Sequence, residues 1–193
     1  MGKLVYFISL TLDGFIAGPG DEVEFFEGSE DYMRHMVTTY AELMPGHARE
    51  QLGLAQTPPS RFGTVVMGRR TYDPGLQMGM TSPYPHLRQV VFSRTLTSPD
   101  PQVTVTAADP LATVRELKAS DDGLDIYLAG GGQLAAALLP EIDELIIKRY
   151  PAIAGTGIRA FATDFNPLQW EMTAHIGFDS GNSITTFVPR PRS

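Results

Sequence analysis

Apolar positions along this chain follow two periods that take turns. Leu4 to Leu10 is an aromatic and β-branched run of the kind that fills a buried strand. Asp13-Gly14 and Gly18-Pro19-Gly20-Asp21 then interrupt it with turn chemistry, which predicts a loop. Met33, Met36, Val37, Tyr40 and Leu43 or Met44 recur at helical spacing, so a helix is expected over Tyr32 to Leu43, with a second short one from His47 to Leu54. Thr64 to Met67, Gln89 to Phe92, Val103 to Thr106, Asp125 to Leu128 and Glu144 to Tyr150 read as further strands. Residues 73–86 are broken by proline and glycine and predict a surface loop. Asp109-Pro110 is a helix start, with aspartate as N-cap and proline in the first turn, for a helix reaching Ala119. Leu134 to Leu139 predicts another helix. Gln169 to Val188 reads as two strands joined by Asp179-Ser180-Gly181-Asn182, and Pro189 to Ser193 as a frayed end.

Strands that alternate with helices predict an α/β fold. The expected sheet is mixed but mainly parallel, flanked by helices and closed by a C-terminal antiparallel hairpin. A chain of 193 residues fits one domain over residues 1–193.

Charge and composition narrow the partners. A net charge of −7 argues against a nucleic-acid or anionic-membrane binder, while local basic spots can still hold a small anion. The chain has no cysteine, which excludes disulfides and thiol nucleophiles and suits the cytoplasm. The first apolar run is too short to span a membrane and is expected to be a strand of the fold. His35, His47, His86 and His175 show no metal-ligand spacing, so no metal is expected.

Chemistry concentrates at three places. In "YLAGGGQLAAALL", Tyr127 to Leu139, an apolar strand meets three consecutive glycines and then a helical pattern. Backbone N–H groups at such a junction can cradle a phosphate, because no Cβ stands in the way. The same glycines could instead serve a tight turn and close helix–sheet packing. Gly130, Gly132 and Ala135 match GxGxxA, but the next strand ends in Lys148-Arg149-Tyr150, not in the acidic residue a Rossmann unit needs. No Gly-Lys-Ser/Thr follows, so a P-loop fails too. "VVMGRRTY", Val65 to Tyr72, and "VVFSRT", Val90 to Thr95, present arginine and hydroxyl groups where strands end. Arginine forks match phosphate geometry. Ligands of open α/β sheets bind at the carboxyl ends of strands, so these groups converge if their strands are neighbours. Together they suit a ligand with separated phosphates, such as NADPH.

These segments, in this order, resemble the dihydrofolate reductase-like fold, and more closely the reductase domain of riboflavin biosynthesis proteins. "ISLTLDGFIAG", Ile8 to Gly18, is similar to the first strand and the loop over the nicotinamide. "DELIIKRYPAIAGTG", Asp143 to Gly157, is similar to the strand and loop after the glycines. The resemblance implies NADPH-dependent hydride transfer to a small heterocycle, pterin- or pyrimidine-like. It implies that Ile16 and Ala17 line the nicotinamide. Gly68, Arg69, Arg70 and Thr71 would bind phosphates, including the 2′-phosphate. Ser93, Arg94 and Thr95 would flank the adenosine. Ala129, Gly130, Gly131, Gly132, Gln133 and Leu134 would wrap the diphosphate. A homodimer is a further implication. The chain departs from the riboflavin branch at Phe15, where a lysine is usual, and at Ala129, where a glutamate is usual.

The proton chemistry is less marked. Glu30 and Asp31 fall near the start of the helix that carries a substrate-anchoring carboxylate in dihydrofolate reductases, and both are catalytic candidates. Asp13 is a third, able to shape the nicotinamide loop, contact substrate, or only make a turn. Phe25 and Phe26 sit among acids and could cap an apolar cleft, or one could be core. A non-catalytic dinucleotide-binding or regulatory protein of the same fold is the alternative reading.

Overall fold

The structure is a computed structural model that describes residues 1–119 and 123–190. The chain opens with β1 (Leu4–Leu10), the short β2 (Phe15–Ala17), α1 (Glu30–Thr39) and α2 (Gly46–Gln51). Then come β3 (Phe62–Gly68), α3 (Arg69–Gln77), β4 (Arg88–Phe92), β5 (Val103–Thr106) and α4 (Pro110–Lys118). β6 (Asp125–Gly130), α5 (Gly132–Leu138), β7 (Ile142–Arg149), β8 (Ile158–Arg159), β9 (Trp170–Gly177) and β10 (Ser183–Pro189) complete it.

The main sheet has the order β5-β4-β3-β6-β1-β7-β10-β9. The contacts from β5 through β7 are parallel, and β10 then pairs antiparallel with both β7 and β9. This is the expected mainly parallel α/β sheet with its C-terminal antiparallel hairpin. Alternation along β1 explains two cores: Val5 and Phe7 face one side with Tyr32 and Met36 of α1 and Tyr72 of α3, while Leu4 and Tyr6 face the other with Val114 of α4 and Leu134 and Leu138 of α5. Asp109 caps α4 as its sequence implies, its carboxylate accepting from Ala112 N–H at 2.9 Å. Among the described residues no helix is long and apolar enough to cross a membrane.

Several expectations need correction. Residues 73–86 do not form a continuous loop, because α3 runs through Pro74 to Gln77. Pro74 removes one helical hydrogen bond. The helix is held by the buried Tyr72, whose hydroxyl donates to Thr81 O, and by an Arg69–Asp73 pair one turn apart. The end is not frayed at its start either: Pro189 pairs with Trp170, and Arg190 N–H donates to Gln169 O at 3.0 Å. Residues 191–193 of that segment lie outside the described residues. β2 falls in a stretch expected to be loop and pairs antiparallel with β8.

Candidate functional site

The condition for convergence is met. β4, β3 and β6 are consecutive in the sheet and parallel, so the three chemically marked strand ends lie side by side. Their register places Met67 opposite Gly130 and Gly68 opposite Phe92. A cavity of about 700 Å³ opens over these ends, within the range of ligand pockets. Gly68, Arg69, Arg70 and Thr71 enter its wall from the β3–α3 junction, and Arg94 from the end of β4. Ala129, Gly131, Gly132, Gln133 and Leu134 enter from the β6–α5 junction, and Ile16 and Ala17 from β2.

The three glycines divide the work. Gly130 has φ +118°, a conformation L side chains rarely adopt. Gly132 lies against β8: a Cβ there would stand 2.0 Å from Arg159 O. Both serve the turn and the packing. Gly131 is different. Its φ is −89°, and a Cβ would find Thr71 Oγ1 at 3.7 Å and Ile16 Cδ1 at 4.0 Å, so packing does not demand glycine. Its bare face lines the cavity.

Four guanidinium groups and one carboxylate line this cavity: Arg69, Arg70, Arg94 and Arg159 against Asp21. In a chain of net charge −7 this is a local positive field suited to an anion. Arg69 pairs with Asp73, and Arg70 reaches across to Asp21 at 2.8 Å. Arg159 lies over the Phe15 ring at 5.2 Å. Arg94 makes no ion pair among the described residues.

Three expected cofactor residues do not line the cavity. Ser93 and Thr95 form a turn behind Arg94, in which Ser93 Oγ accepts from the N–H groups of Thr95 and Leu96. Gly130 supports the junction through its conformation.

A second cavity of about 330 Å³ adjoins the first and shares Ile8, Ile16, Val23 and Ala129 with it. Phe7, Phe26 and Tyr127 give it aromatic walls. Phe26 packs on Tyr150 at 4.7 Å and Phe25 on Phe26 at 4.5 Å, so Phe26 is the cleft residue and Phe25 backs it. The polar groups here are Ser9 and Lys148, whose ammonium sits 4.0 Å from the Phe7 ring centre.

The proposed carboxylates lie outside both cavity walls. Asp13 holds the loop after β7, accepting from Ala154 N–H at 3.1 Å and Gly155 N–H at 2.7 Å. The Thr11 hydroxyl, then those amides, hold it below the usual carboxylate range. Glu30 points to solvent and pairs with Arg34. Asp31 accepts from Ser29 Oγ, which lowers its pKa, and it also receives the amides of Tyr32 and Asp179. Among the described residues no cluster is fit to hold a metal ion.

Sequence reasoning missed Arg159, Asp21 and Lys148. Arg159 sits on a two-residue strand, too short to show a period. Asp21 is one of six acids between residues 21 and 31, with nothing local to set it apart. Lys148 was visible only as a mismatch to the Rossmann pattern.

The profile of one family, described as dihydrofolate reductase, matches residues 57–188. The chain is 31% identical over 165 residues to the uncharacterized protein YwjB of Bacillus subtilis (strain 168), covering 82% of each. It is 25% identical over 186 residues to YyaP of the same organism, covering 93% of this chain and 90% of that one. Among solved structures, a putative riboflavin biosynthesis protein from Shewanella sp. PV-4 superposes with a TM-score of 0.73 at 22% identity, over 98% of this chain and 99% of that one. Acinetobacter baumannii RibD superposes with a TM-score of 0.65 at 18% identity, over 98% of this chain but 58% of the other. These structural likenesses are of fold.

Proposed function

This chain belongs to the dihydrofolate reductase family, and from that premise we propose that it is an NADPH-dependent reductase of a small planar heterocycle. The observation that carries the reading is the convergence of three strand ends, with their arginines and the open Gly131, on one cavity that continues into an aromatic pocket. The residues fit the cofactor on two counts. Gly131 leaves room beside backbone N–H groups, and Arg94 offers a guanidinium with no ion pair among the described residues.

NADPH, when bound, supplies the hydride. The chain's own residues bind and orient. The glycine junction takes the diphosphate, and arginines at the ends of β3 and β4 take the 2′-phosphate. Ile16, on the wall shared by the two cavities, would border the nicotinamide, with Ala17 beside it on the larger cavity. Ile8, Val23 and Phe26 give the acceptor side apolar walls for the ring.

The test is a fluorescence titration with NADPH and NADH, followed by NADPH oxidation against a panel of pterins and pyrimidines. Saturable binding that prefers NADPH, with turnover of a panel member, is the expected result. No saturable binding of either nucleotide would sink the reading.

The Arg70–Asp21 pair makes a separate prediction. Both side chains are largely exposed, and the carboxylate occupies the guanidinium that a phosphate would use. Asp21→Asn should therefore tighten NADPH binding by ~2- to 5-fold, the worth of a surface ion pair. NADH affinity should move less. An unchanged NADPH affinity would show that Arg70 does not meet the phosphate.

A further inference from the structure

The smaller cavity holds a cation that the family reading leaves without a role. Lys148 is near the end of β7, opposite Ser9 of β1 and Ile184 of β10. Its side chain is partly buried and lines the cavity beside Phe7, Phe26 and Tyr127. No carboxylate pairs with it among the described residues. The Phe7 ring, 4.0 Å away, is its nearest electrostatic support. A lysine whose only role was packing would bring its stem to apolar surface and its head to water or an acid. Here the head lies over the Phe7 ring at the wall of an open cleft lined by aromatic rings.

The acids that could have matched a cationic ring are elsewhere. Asp31 is held by Ser29, Glu30 points to solvent, and Asp13 ties down residues 154–155. Among the described residues, then, the charged group on the smaller cavity's wall is an ammonium. The volume of about 330 Å³ suits a molecule of one or two rings. The shared wall at Ile16 sets such a ring beside the position given above to the nicotinamide.

We propose that Lys148 anchors the substrate, and that it selects a flat aromatic or heteroaromatic ring bearing an ionised acidic group at its buried end. This rests on the reductase reading for what happens to the ring, but not for how the ring is held. The ammonium supplies hydrogen-bond donors to the anion, and the three aromatic walls stack on the ring.

Burial pushes the Lys148 ammonium down to about 8, so the anchor loses its charge as pH rises through that value. The other ionisable groups packed around it do not confuse this. Tyr127 on β6 lines the same cavity, and Tyr40 stacks on Phe7. Burial raises both above the ordinary tyrosine range, so they stay neutral. Ser9 and Ile184, its strand neighbours, do not titrate.

The experiment measures binding of benzoate, benzamide and benzylamine by calorimetry, with and without saturating NADPH. The proteins are wild type, Lys148→Met and Lys148→Arg. Wild type should bind benzoate about tenfold more tightly than benzamide, and benzylamine weakest. Lys148→Met should erase the preference. Benzoate binding to wild type should weaken above pH 8, whereas Lys148→Arg, whose charge persists, should keep it. Equal binding of the three probes, no binding of any, or a benzoate preference that survives Lys148→Met would overturn the proposal. A folding defect in Lys148→Met leaves the wild-type ranking, its pH profile and Lys148→Arg to decide. The NADPH titration is a separate readout. A Lys148-dependent benzoate preference without nucleotide binding would sink the reductase reading alone, and nucleotide binding without that preference would sink this one alone.

Discussion

Gly132→Ala should unfold this protein at a markedly lower temperature, while Gly131→Ala should leave its stability nearly intact and remove the NADPH affinity proposed for it. The two glycines are neighbours, and a propensity argument would treat them alike. Their surroundings do not. A Cβ on Gly132 would stand 2.0 Å from Arg159 O, 3.2 Å from Arg159 C and 3.4 Å from Ala160 C. All three are backbone atoms, so no rotamer relieves the overlap. β8 would have to retreat, and it is held in place by its pairing with β2. Ala162 N–H also donates to Gly132 O at 3.2 Å and would lose its geometry. Overpacking of this kind costs ~1–3 kcal/mol or more, roughly 2–12 °C in Tm for a chain of this size. At Gly131 the nearest atoms to a Cβ are 3.7 and 4.0 Å away, which is ordinary contact. The added methyl would instead project where the diphosphate is proposed to lie. Thermal unfolding and an NADPH titration on both variants check this. Equal loss of stability in the two would refute the division, and full NADPH affinity in Gly131→Ala would remove the diphosphate from this junction.

That division shows what the sequence could and could not convey. Three glycines after an apolar strand are legible as a junction, but their separate duties depend on Arg159, which is far along the chain and on a strand of two residues. The strands β4 and β5 and the Asp109 cap were readable because their signals are local: an apolar run, or a capping side chain three residues from its donor. α3 was not readable, because Pro74 and Gly75 speak for a loop while Tyr72, buried by distant parts of the chain, decides for a helix. The arginine-bearing strand ends were legible one by one. That they meet is a property of the strand order β4-β3-β6, which no local pattern encodes. The acids lie apart from the cavity for the opposite reason. Asp13, Glu30 and Asp31 look reactive as letters, yet Asp13 and Asp31 are occupied by backbone N–H groups of loops and Glu30 points to solvent. Lys148 looked like a misfit until the cavity around it gave it a place.

Arg94→Ala should cost more NADPH affinity than either Arg69→Ala or Arg70→Ala, and should spare NADH. The reason is what each guanidinium must give up. Arg69 is already engaged by Asp73, and Arg70 by Asp21, so a phosphate approaching either competes with a carboxylate in place. Arg94 lies exposed on the cavity wall with no ion pair among the described residues, and its turn is pre-set by Ser93 Oγ. It needs to break nothing before it binds. A hydrogen bond to a charged group is worth ~1.5–3 kcal/mol, so its loss should weaken NADPH by roughly 10- to 150-fold. NADH lacks the 2′-phosphate, and its affinity should stay within about twofold if Arg94 meets that group alone. The guanidinium is solvent-facing, so the NADPH preference of wild type should also shrink as salt rises, and Arg94→Ala should show a shallower salt dependence, left to Arg69 and Arg70. Parallel losses for NADPH and NADH would move Arg94 to the diphosphate. No loss for either would leave the anion to Arg69, Arg70 and Arg159, and the ion pairs that engage the first two would then be part of how the site opens.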